Sequence, residues 1–207
     1  MVSERKNMHR LKVTRGNGLL EEFLAKERSK LANSLIPFSH KKGSILDIGC
    51  GTFPFFLFNT ACSKKYGLDK IIRKGYDKRF QDRGITFVNH DLERLEKIPF
   101  EGGFFDIVTI LAVVEHIERK KVAQGFREIR RILRPGGICV MTTPAVCARP
   151  LLNFMAALNL VSSVEIEEHK YAYSRRDIVS ILQEAGFAKE KIHAGYFFMN
   201  MWVTAVK

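Results

Sequence analysis

The apolar residues of this chain follow two spacings along the sequence. In some stretches they form short continuous runs, and in others they recur every three or four positions. Continuous apolar runs are typical of strands buried on both faces, whereas the second spacing is typical of amphipathic helices. The runs predict strands at Ser44–Ile48, Lys65–Leu68, Ile85–Val88, Phe104–Val114, Ile138–Thr143, Ile192–Phe198 and Met201–Val206.

The helical spacing predicts helices before, between and after these strands. Pro54 suits a first helical turn, and Ser174 with Asp177 three residues later forms a capping-box signature. Gly186 is suited to the residue that follows the C-terminus of the last helix. The predicted helices are Leu19–Ile36, Phe55–Cys62, the stretch carrying Val122, Phe126, Ile129 and Leu133, and the stretch carrying Ile178, Ile181, Leu182 and Ala185.

The alternation of strands and helices predicts an α/β fold with a doubly wound, mostly parallel sheet. No helical pattern separates the last two strands, so one strand near the C-terminus should be antiparallel. Residues 1–18 are polar and basic, and they read as a flexible arm. We expect residues 19–207 to form a single domain.

The charge of the chain is unusual for its size. Its 207 residues carry 34 basic and 22 acidic side chains, a net charge of +12. The excess is concentrated in residues 1–42, Lys64–Arg83 and Glu118–Arg134. Such a charge favours anionic partners, namely nucleic acid, an anionic membrane surface or a phosphorylated substrate, although solvated basic faces would give the same composition.

The cysteines and the apolar runs indicate the compartment. Cys50, Cys62, Cys139 and Cys147 form no CxxC pair, so neither a disulfide framework nor a zinc ribbon is expected. No apolar run reaches the length of a membrane-spanning helix, and the N-terminus has no apolar signal core. We therefore expect a cytoplasmic protein, one that could also sit against the inner face of the membrane.

The segment Ile45–Pro54 (ILDIGCGTFP) has the pattern of a strand that enters a glycine turn and then a helix. Ligands of doubly wound sheets bind at the carboxyl ends of strands, where glycine lets them approach the backbone. Asp69 follows Gly49 by twenty residues, the spacing at which a carboxylate binds a ribose diol. Pro54 occupies the position of the third glycine of the dinucleotide fingerprint, which argues against NAD or FAD and leaves a nucleoside cofactor without pyrophosphate.

These and further segments resemble the class I S-adenosylmethionine-dependent methyltransferases of the small-molecule type. The resemblance runs from about Leu19 to the C-terminus, and its motifs are specific only in combination. It rests on ILDIGCG (45–51), YGLD (66–69), FVNHDLERL (87–95), FDIVTILAVVEHI (105–117), LRPGG (133–137) and EAGF (184–187). The family fold is a seven-stranded sheet with one antiparallel strand, and its methyl donor is S-adenosylmethionine, which leaves as S-adenosylhomocysteine.

The resemblance implies a role for each matching position. Asp47, Gly49, Cys50 and Gly51 would line the methionine end of the cofactor, and Asp69 would hold the ribose. The adenine would contact Asp91 and Leu92, while Leu111 and Ala112 would lie beside the cofactor. No metal is implied. The expected cofactor-binding residues are therefore Asp47, Gly49, Cys50, Gly51, Asp69, Asp91, Leu92, Leu111 and Ala112.

His116 is the candidate catalytic base, because it follows the fourth strand and histidine readily exchanges protons near neutral pH. A loop histidine that shapes the next helix is the alternative. Glu115 and Asp106 are interpreted as structural residues. The family places substrate recognition between the fifth strand and the last capped helix, so residues 145–173 are expected to form a substrate or lid insertion, with His169, Tyr171 and Tyr173 as candidate substrate contacts.

Within this insertion, Leu151–Val164 has almost no polar face. It is expected to be a lid or pocket helix, and contact with a membrane or a lipid-like substrate, or simple core packing, are the alternatives.

The sequence therefore predicts a methyltransferase acting on a small or lipid-linked metabolite, with oxygen as the favoured acceptor atom and nitrogen or carbon as the alternatives. Two other hypotheses remain open. One is an RNA or protein methyltransferase guided by the basic arm, although the basic segments lack interleaved aromatic residues. The other is a scaffold that kept the fold without catalysis, although such a protein has no need of Gly49, Gly51, Asp69 and Asp91 together.

Overall fold

The fold is a seven-stranded sheet covered by helices. The computed structural model describes residues 20–51, 53–70, 80–81, 83–91, 97–162 and 171–207. The strands are β1 (Ser44–Ile48), β2 (Lys64–Asp69), β3 (Ile85–Asn89), β4 (Phe105–Leu111), β5 (Leu133–Pro144), β6 (Ile192–Phe197) and β7 (Asn200–Val206). The helices are α1 (Glu21–Leu35), α2 (Phe55–Phe58), α3 (Arg119–Ile132), α4 (Arg149–Ala157) and α5 (Arg175–Glu184).

The strand order is β3-β2-β1-β4-β5-β7-β6. The pairs β1–β2, β2–β3, β1–β4 and β4–β5 are parallel, whereas β7 is antiparallel to both β5 and β6. The predicted α/β class, with a mostly parallel sheet and an antiparallel strand near the C-terminus, is confirmed. A two-residue connection, Phe198–Met199, joins β6 to β7, and so short a link can join only antiparallel neighbours.

Each face of the sheet has its own hydrophobic core. On one face, α3 and α5 pack through residues such as Phe126 and Ile181 against Leu46 and Val108. On the other, α1 and α2 pack through residues such as Ala32 against Ile45. Successive strand residues therefore face different helices, and this is why the inner strands are mostly apolar on both faces.

Several strands begin or end at residues other than the predicted ones. β4 ends at Leu111 rather than Val114, because Ala112 adopts a positive φ of 55° and its N–H bonds the Thr142 carbonyl. β5 begins at Leu133 rather than Ile138. Residues of the predicted turn bond the C-terminal residue Lys207, with Gly136 N–H donating to its carbonyl and the Lys207 N–H donating to Gly137. Such long-range partners are invisible in local sequence.

The helix that follows the glycine turn is also shorter than predicted. It ends at Phe58 rather than Cys62. The side chains of Asn59 and Thr60 bond the carbonyls of Phe55 and Phe56, and these bonds compete with continuation of the helix.

The capping signals of α5 are confirmed. Ser174 and Asp177 form the reciprocal capping box, and Gly186 adopts a φ of 94° after the helix. Residues 1–18, Leu92 and His169, for which predictions were made, lie outside the described residues. Within the described ranges, no helix is both long and apolar enough to span a membrane.

Candidate functional site

A turn with two left-handed glycines follows β1 at the carboxyl edge of the sheet. Gly49 has a φ of 76° and Gly51 a φ of 67°, values that side chains other than glycine rarely adopt. The Gly49 N–H donates to the Leu68 carbonyl of β2 at 2.8 Å. The turn therefore leaves β1 abruptly and exposes backbone beside the end of β2.

Asp69, the last residue of β2, holds the second glycine of this turn. The Gly51 N–H donates to Asp69 Oδ2 at 2.9 Å. A Cβ placed on Gly51 would meet no atom of the described residues within 4 Å, so among these residues the backbone is open at this point. The carboxylate and the exposed turn together form a cradle on the sheet edge, where a ligand could approach the main chain.

Val113 packs against Gly49, the first glycine of the turn. A Cβ on Gly49 would overlap Val113 Cγ2, so the segment after β4 packs directly over the turn. Leu111 and Ala112 immediately precede Val113 and are half-buried. The ends of β1 and β4 thus meet in contact, and the predicted positions Gly49, Gly51, Asp69, Leu111 and Ala112 come together at one edge.

Asp47 lies in β1, two residues before Gly49, and is buried. Thr109 of β4 donates its hydroxyl proton to Asp47 Oδ1 at 2.6 Å. Burial raises the pKa of the Asp47 carboxyl from 3.8 to about 7; the hydrogen bond from Thr109 opposes this rise, and the negative charge of Asp69 adds to it. The cradle therefore has two neighbouring carboxyl groups, an arrangement that favours a positively charged ligand.

Cys50 points into the protein rather than into the cradle. A Cβ on Gly67 of β2 would lie 2.8 Å from Cys50 Sγ, so the thiol packs over that glycine. Burial raises the pKa of this thiol well above its ordinary range, and the charges of Asp47 and Asp69 add to the effect. The thiol stays protonated, and Cys50 can serve a ligand only through its backbone.

Asp91 follows β3 at the same edge. It is half-buried, and the preceding His90 N–H donates to the Asp69 carbonyl at 3.1 Å. This bond ties the end of β3 to the end of β2. Asp91 is thereby held on the side of the cradle away from β4, where a second part of an extended ligand would lie.

A short 3-10 turn, Val114–His116, continues from β4 and carries the candidate base. His116 is half-buried. Glu115 beside it is buried, and Thr143 donates its hydroxyl proton to Glu115 Oε2 at 3.0 Å. Burial raises the pKa of the Glu115 carboxyl. Glu115 thus anchors the turn to β5 and holds His116 at the carboxyl edge.

Of the three candidate substrate contacts, two lie among the described residues. Tyr171 is exposed, and its N–H donates to the Glu115 carbonyl. Tyr173 is only 3% exposed, its hydroxyl donates to the Ile117 carbonyl at 2.8 Å, and burial raises its pKa to about 12. The structure favours a packing role for Tyr173 over the predicted substrate contact, because its polar atom is already bonded inside the protein.

Asp106 lies at the opposite, amino edge of β4. It accepts a hydrogen bond from the Ser44 N–H at 2.7 Å and an ion pair from Arg134 at 2.6 Å. These contacts join β4 to β1 and to the start of β5. They agree with the structural role expected for this residue.

Sequence reasoning missed two residues that shape the site. Thr109 binds Asp47, and a polar residue inside the apolar run of β4 was the available signal. Val113 fills the space that glycine leaves at position 49. Nothing in the local sequence marks Val113, because its role depends on a neighbour more than sixty positions away.

Comparisons with known proteins identify the family and the fold of this chain. The family profile described as a methyltransferase domain matches residues 18–192. Among solved structures, an S-adenosylmethionine dependent methyltransferase from Mesorhizobium loti has a TM-score of 0.63 and 19% identity, covering 86% of this chain and 96% of that one. The PH0226 protein from Pyrococcus horikoshii has a TM-score of 0.64 and 16% identity, covering 97% and 98%.

The curated relatives share less of their length. The ubiquinone/menaquinone biosynthesis C-methyltransferase UbiE of Rubrivivax gelatinosus is 30% identical over 122 residues, which are 56% of this chain and 48% of the relative. The protein of the same name from Azotobacter vinelandii is 37% identical over 73 residues, 33% of this chain and 26% of the relative. The chain therefore spans about half the length, or less, of the curated relatives it matches.

The two glycines of the turn should respond differently to alanine. Gly51→Ala should lower the free energy of unfolding by about 1 kcal/mol, because the only cost is that of placing alanine at a positive φ. Gly49→Ala should lower it by about 3 kcal/mol, because it adds overlap with Val113. Urea unfolding measures both. In the Val113→Ala background, Gly49→Ala should cost less stability than it does in the parent, because the overlapping side chain is gone. Equal costs for Gly49→Ala and Gly51→Ala in the parent would contradict the packing described.

The buried Asp47 should give stability a pH dependence. Its folded pKa, about 7, lies above its unfolded value of 3.8, so the folded state retains the proton over this interval. Its contribution to stability therefore falls as pH rises from about 4 to 7. The free energy of unfolding of Asp47→Asn, minus that of the parent, should therefore be more favourable at pH 8 than at pH 5, by on the order of 2 kcal/mol.

Urea unfolding of both proteins at the two pH values tests this expectation. Other titrating groups cancel in the difference between variant and parent. The same difference at pH 5 and pH 8 would mean that Asp47 is ionised throughout and that burial does not control its charge.

Proposed function

The chain belongs to the methyltransferase-domain family, as a class I enzyme that depends on S-adenosylmethionine, and we propose that it methylates a hydroxyl oxygen of a small, lipid-linked metabolite. The observation that carries the proposal is the cradle at the carboxyl edge, where Asp69 holds the left-handed Gly51 against open space. The candidate base His116 follows β4 at the same edge.

The residues of the cradle fit the cofactor. Its methionine end would lie along the backbone of the glycine turn, where the neighbouring carboxyl groups of Asp47 and Asp69 suit its positive charge. Asp69 would accept hydrogen bonds from the ribose hydroxyls. Asp91 would receive the adenine amino group, and Leu92 would contact the ring. The residues assigned to the cofactor are Asp47, Gly49, Cys50, Gly51, Asp69, Asp91, Leu92, Leu111 and Ala112.

The bound cofactor supplies a methyl group already activated by a positively charged sulfur. The chain's own residues then have to orient the acceptor in line with that methyl group and exclude water. His116 would take the proton of the acceptor hydroxyl as the oxygen attacks. Glu115, bonded to Thr143, would keep the turn that carries His116 in place. Tyr171 and His169 are the remaining candidates for acceptor contact.

The proposed acceptor class is supported by the segment after β5. Helix α4 starts five residues beyond Pro144 and exposes several large apolar side chains, which suits an acceptor with an apolar tail. The matched curated relatives are named for ubiquinone and menaquinone biosynthesis. These names are consistent with a lipid-linked acceptor.

Methyl transfer to carbon is a second candidate, because those relatives are named C-methyltransferases. Attack by the ring carbon of a hydroxylated aromatic acceptor is also promoted by loss of the hydroxyl proton, so His116 would have the same task. Incubating the enzyme with a lipid extract and ¹³C-methyl cofactor would separate the two. The carbon chemical shift of the transferred methyl group reports whether it is attached to oxygen or to carbon.

Asp69→Asn should weaken S-adenosylmethionine binding by about tenfold to hundredfold, since an uncharged amide replaces the acceptor of the ribose hydrogen bonds. The variant keeps an oxygen for the Gly51 N–H, so the turn should remain folded. Calorimetric titration measures the affinity. Asp106→Asn is the matched control, a buried carboxylate bonded to a backbone amide at the opposite edge, and its affinity should stay within about twofold. Equal effects of the two changes would exclude the ribose assignment.

His116→Ala should lower the turnover of labelled methyl transfer into a lipid extract by about a hundredfold or more, because proton removal then falls to water. Cofactor affinity should hardly change, since His116 is not among the residues assigned to the cofactor. Undiminished transfer by the variant would remove His116 as the base, and a parallel loss of cofactor affinity would make it a cofactor-binding residue instead.

A further inference from the structure

Helix α4 exposes a stripe of large apolar side chains at the carboxyl edge. Leu151 and Phe154 are 50% and 62% exposed, and Leu158, the C-terminal capping residue of the helix, is 53% exposed. Their spacing of three and four places them along one side of the helix. Met155, which borders this stripe, is buried and attaches the helix to the protein. No charged residue occurs between Arg149 and Glu165. An exposed apolar face of this kind commonly marks a binding surface.

The turn between β6 and β7 adds another exposed apolar side chain at the same edge. Phe198 is 67% exposed and has a φ of 50°. A two-residue hairpin turn favours glycine or asparagine at such a position, and a bulky side chain there is strained. The Ala145 N–H donates to the Met199 carbonyl, so this hairpin tip lies beside the segment that leads into α4.

A cluster of cations occupies this edge as well, at the N-termini of two helices. Arg119, Lys120 and Lys121 form the first turn of α3, which contains no acidic residue, and all three are exposed. Arg175 and Arg176 begin α5 and are also exposed. The helix dipole disfavours positive charge at an N-terminus, so these residues are not placed there for helix stability.

The two helix starts are adjacent. Arg119 Nη1 forms an ion pair with Asp177 Oδ1 of α5 at 2.8 Å. Both helices begin at the carboxyl edge, because α3 follows β4 and α5 leads back towards the amino end of β6. The exposed stripe, the strained Phe198 and the cations therefore share the edge on which the cofactor cradle opens.

We infer that the carboxyl edge of the sheet docks on an anionic lipid surface, with the α4 stripe and Phe198 entering the interface and the α3 and α5 cations facing the head groups. Three features that lower the stability of the folded protein in water each become favourable on such a surface. A nucleic acid would use the cations but not the aliphatic stripe, and a partner protein would not require the excess of positive charge. The purpose of the surface rests on the proposed lipid-linked acceptor, since docking would open the site towards the membrane.

Flotation of the full chain with large vesicles tests the inference without any need for methyl transfer. Vesicles of phosphatidylglycerol mixed with phosphatidylcholine should bind the protein at least about tenfold more tightly than phosphatidylcholine alone, with binding weakened by salt. Comparable binding to both kinds of vesicle, or to neither, would overturn the inference.

Phe198→Gly is the most informative variant, because two of its effects have opposite signs. Glycine relieves the positive φ, so the melting temperature should rise by a few degrees, whereas vesicle affinity should fall about tenfold through loss of the aromatic ring. A general loss of folding cannot produce this pair of results. Phe154→Ser should weaken binding similarly. The matched control is Phe38→Ser, a residue 79% exposed just before β1 at the amino edge, which should leave binding unchanged.

The cations are tested with a matched pair of double variants. Arg175→Gln/Arg176→Gln should weaken binding to anionic vesicles about tenfold. Lys189→Gln/Lys191→Gln removes the same charge from exposed positions in the turn before β6, at the amino edge, and should have little effect. Equal losses in the two pairs would mean that net charge alone drives binding, and this would overturn the inference.

Calorimetric titration of each variant with S-adenosylmethionine separates this inference from the proposed function. Cofactor affinity should be the same in all variants, because none of the altered residues belongs to the cradle. Unchanged vesicle binding by Phe198→Gly and Phe154→Ser would exclude the docking surface, whatever acceptor is found. Tight binding of an RNA oligonucleotide that competes with the vesicles and is unaffected by Phe154→Ser would overturn the inference and favour a nucleic-acid partner.

Discussion

The site depends on one constraint, the close approach of the glycine turn to its neighbours at the carboxyl edge. Gly49 leaves room for Val113 of the segment after β4, and Gly51 gives its N–H to Asp69 of β2. A side chain at the first glycine would separate β1 from β4, and a different residue at the end of β2 would release the second. The cradle therefore exists only while three strand ends stay in register.

The two edges of the sheet use buried carboxyl groups in different ways. At the amino edge, Asp106 has a cation and a backbone N–H as partners, and it ties β4 to β1 and β5. At the carboxyl edge, Asp47 has a hydroxyl partner and the like charge of Asp69 nearby, and burial raises its pKa to about 7. The first arrangement stabilises the fold, whereas the second lowers stability and suits a cationic ligand, as expected where function competes with stability.

The same contrast extends to the surface of the carboxyl edge. The apolar stripe of α4, the strained Phe198 and the cations at the starts of α3 and α5 each break a local rule of stable proteins. Local rules fail most often at functional positions, because binding a partner supplies the free energy that folding alone does not. Their coincidence on the edge that carries the cradle relates the surface to the chemistry.

The sequence alone determined the approximate positions of the strands, the antiparallel end of the sheet, the capping box of α5 and the glycine turn after β1, because each depends on residues close together in the chain. Only the tertiary structure decided that Val113 excludes a side chain at Gly49, that Tyr173 turns its hydroxyl inward to Ile117, and that β5 begins early, at Leu133, by pairing with Phe105 of β4. These contacts join residues distant in sequence, and local pattern carries no information about which distant atoms will fill the same space.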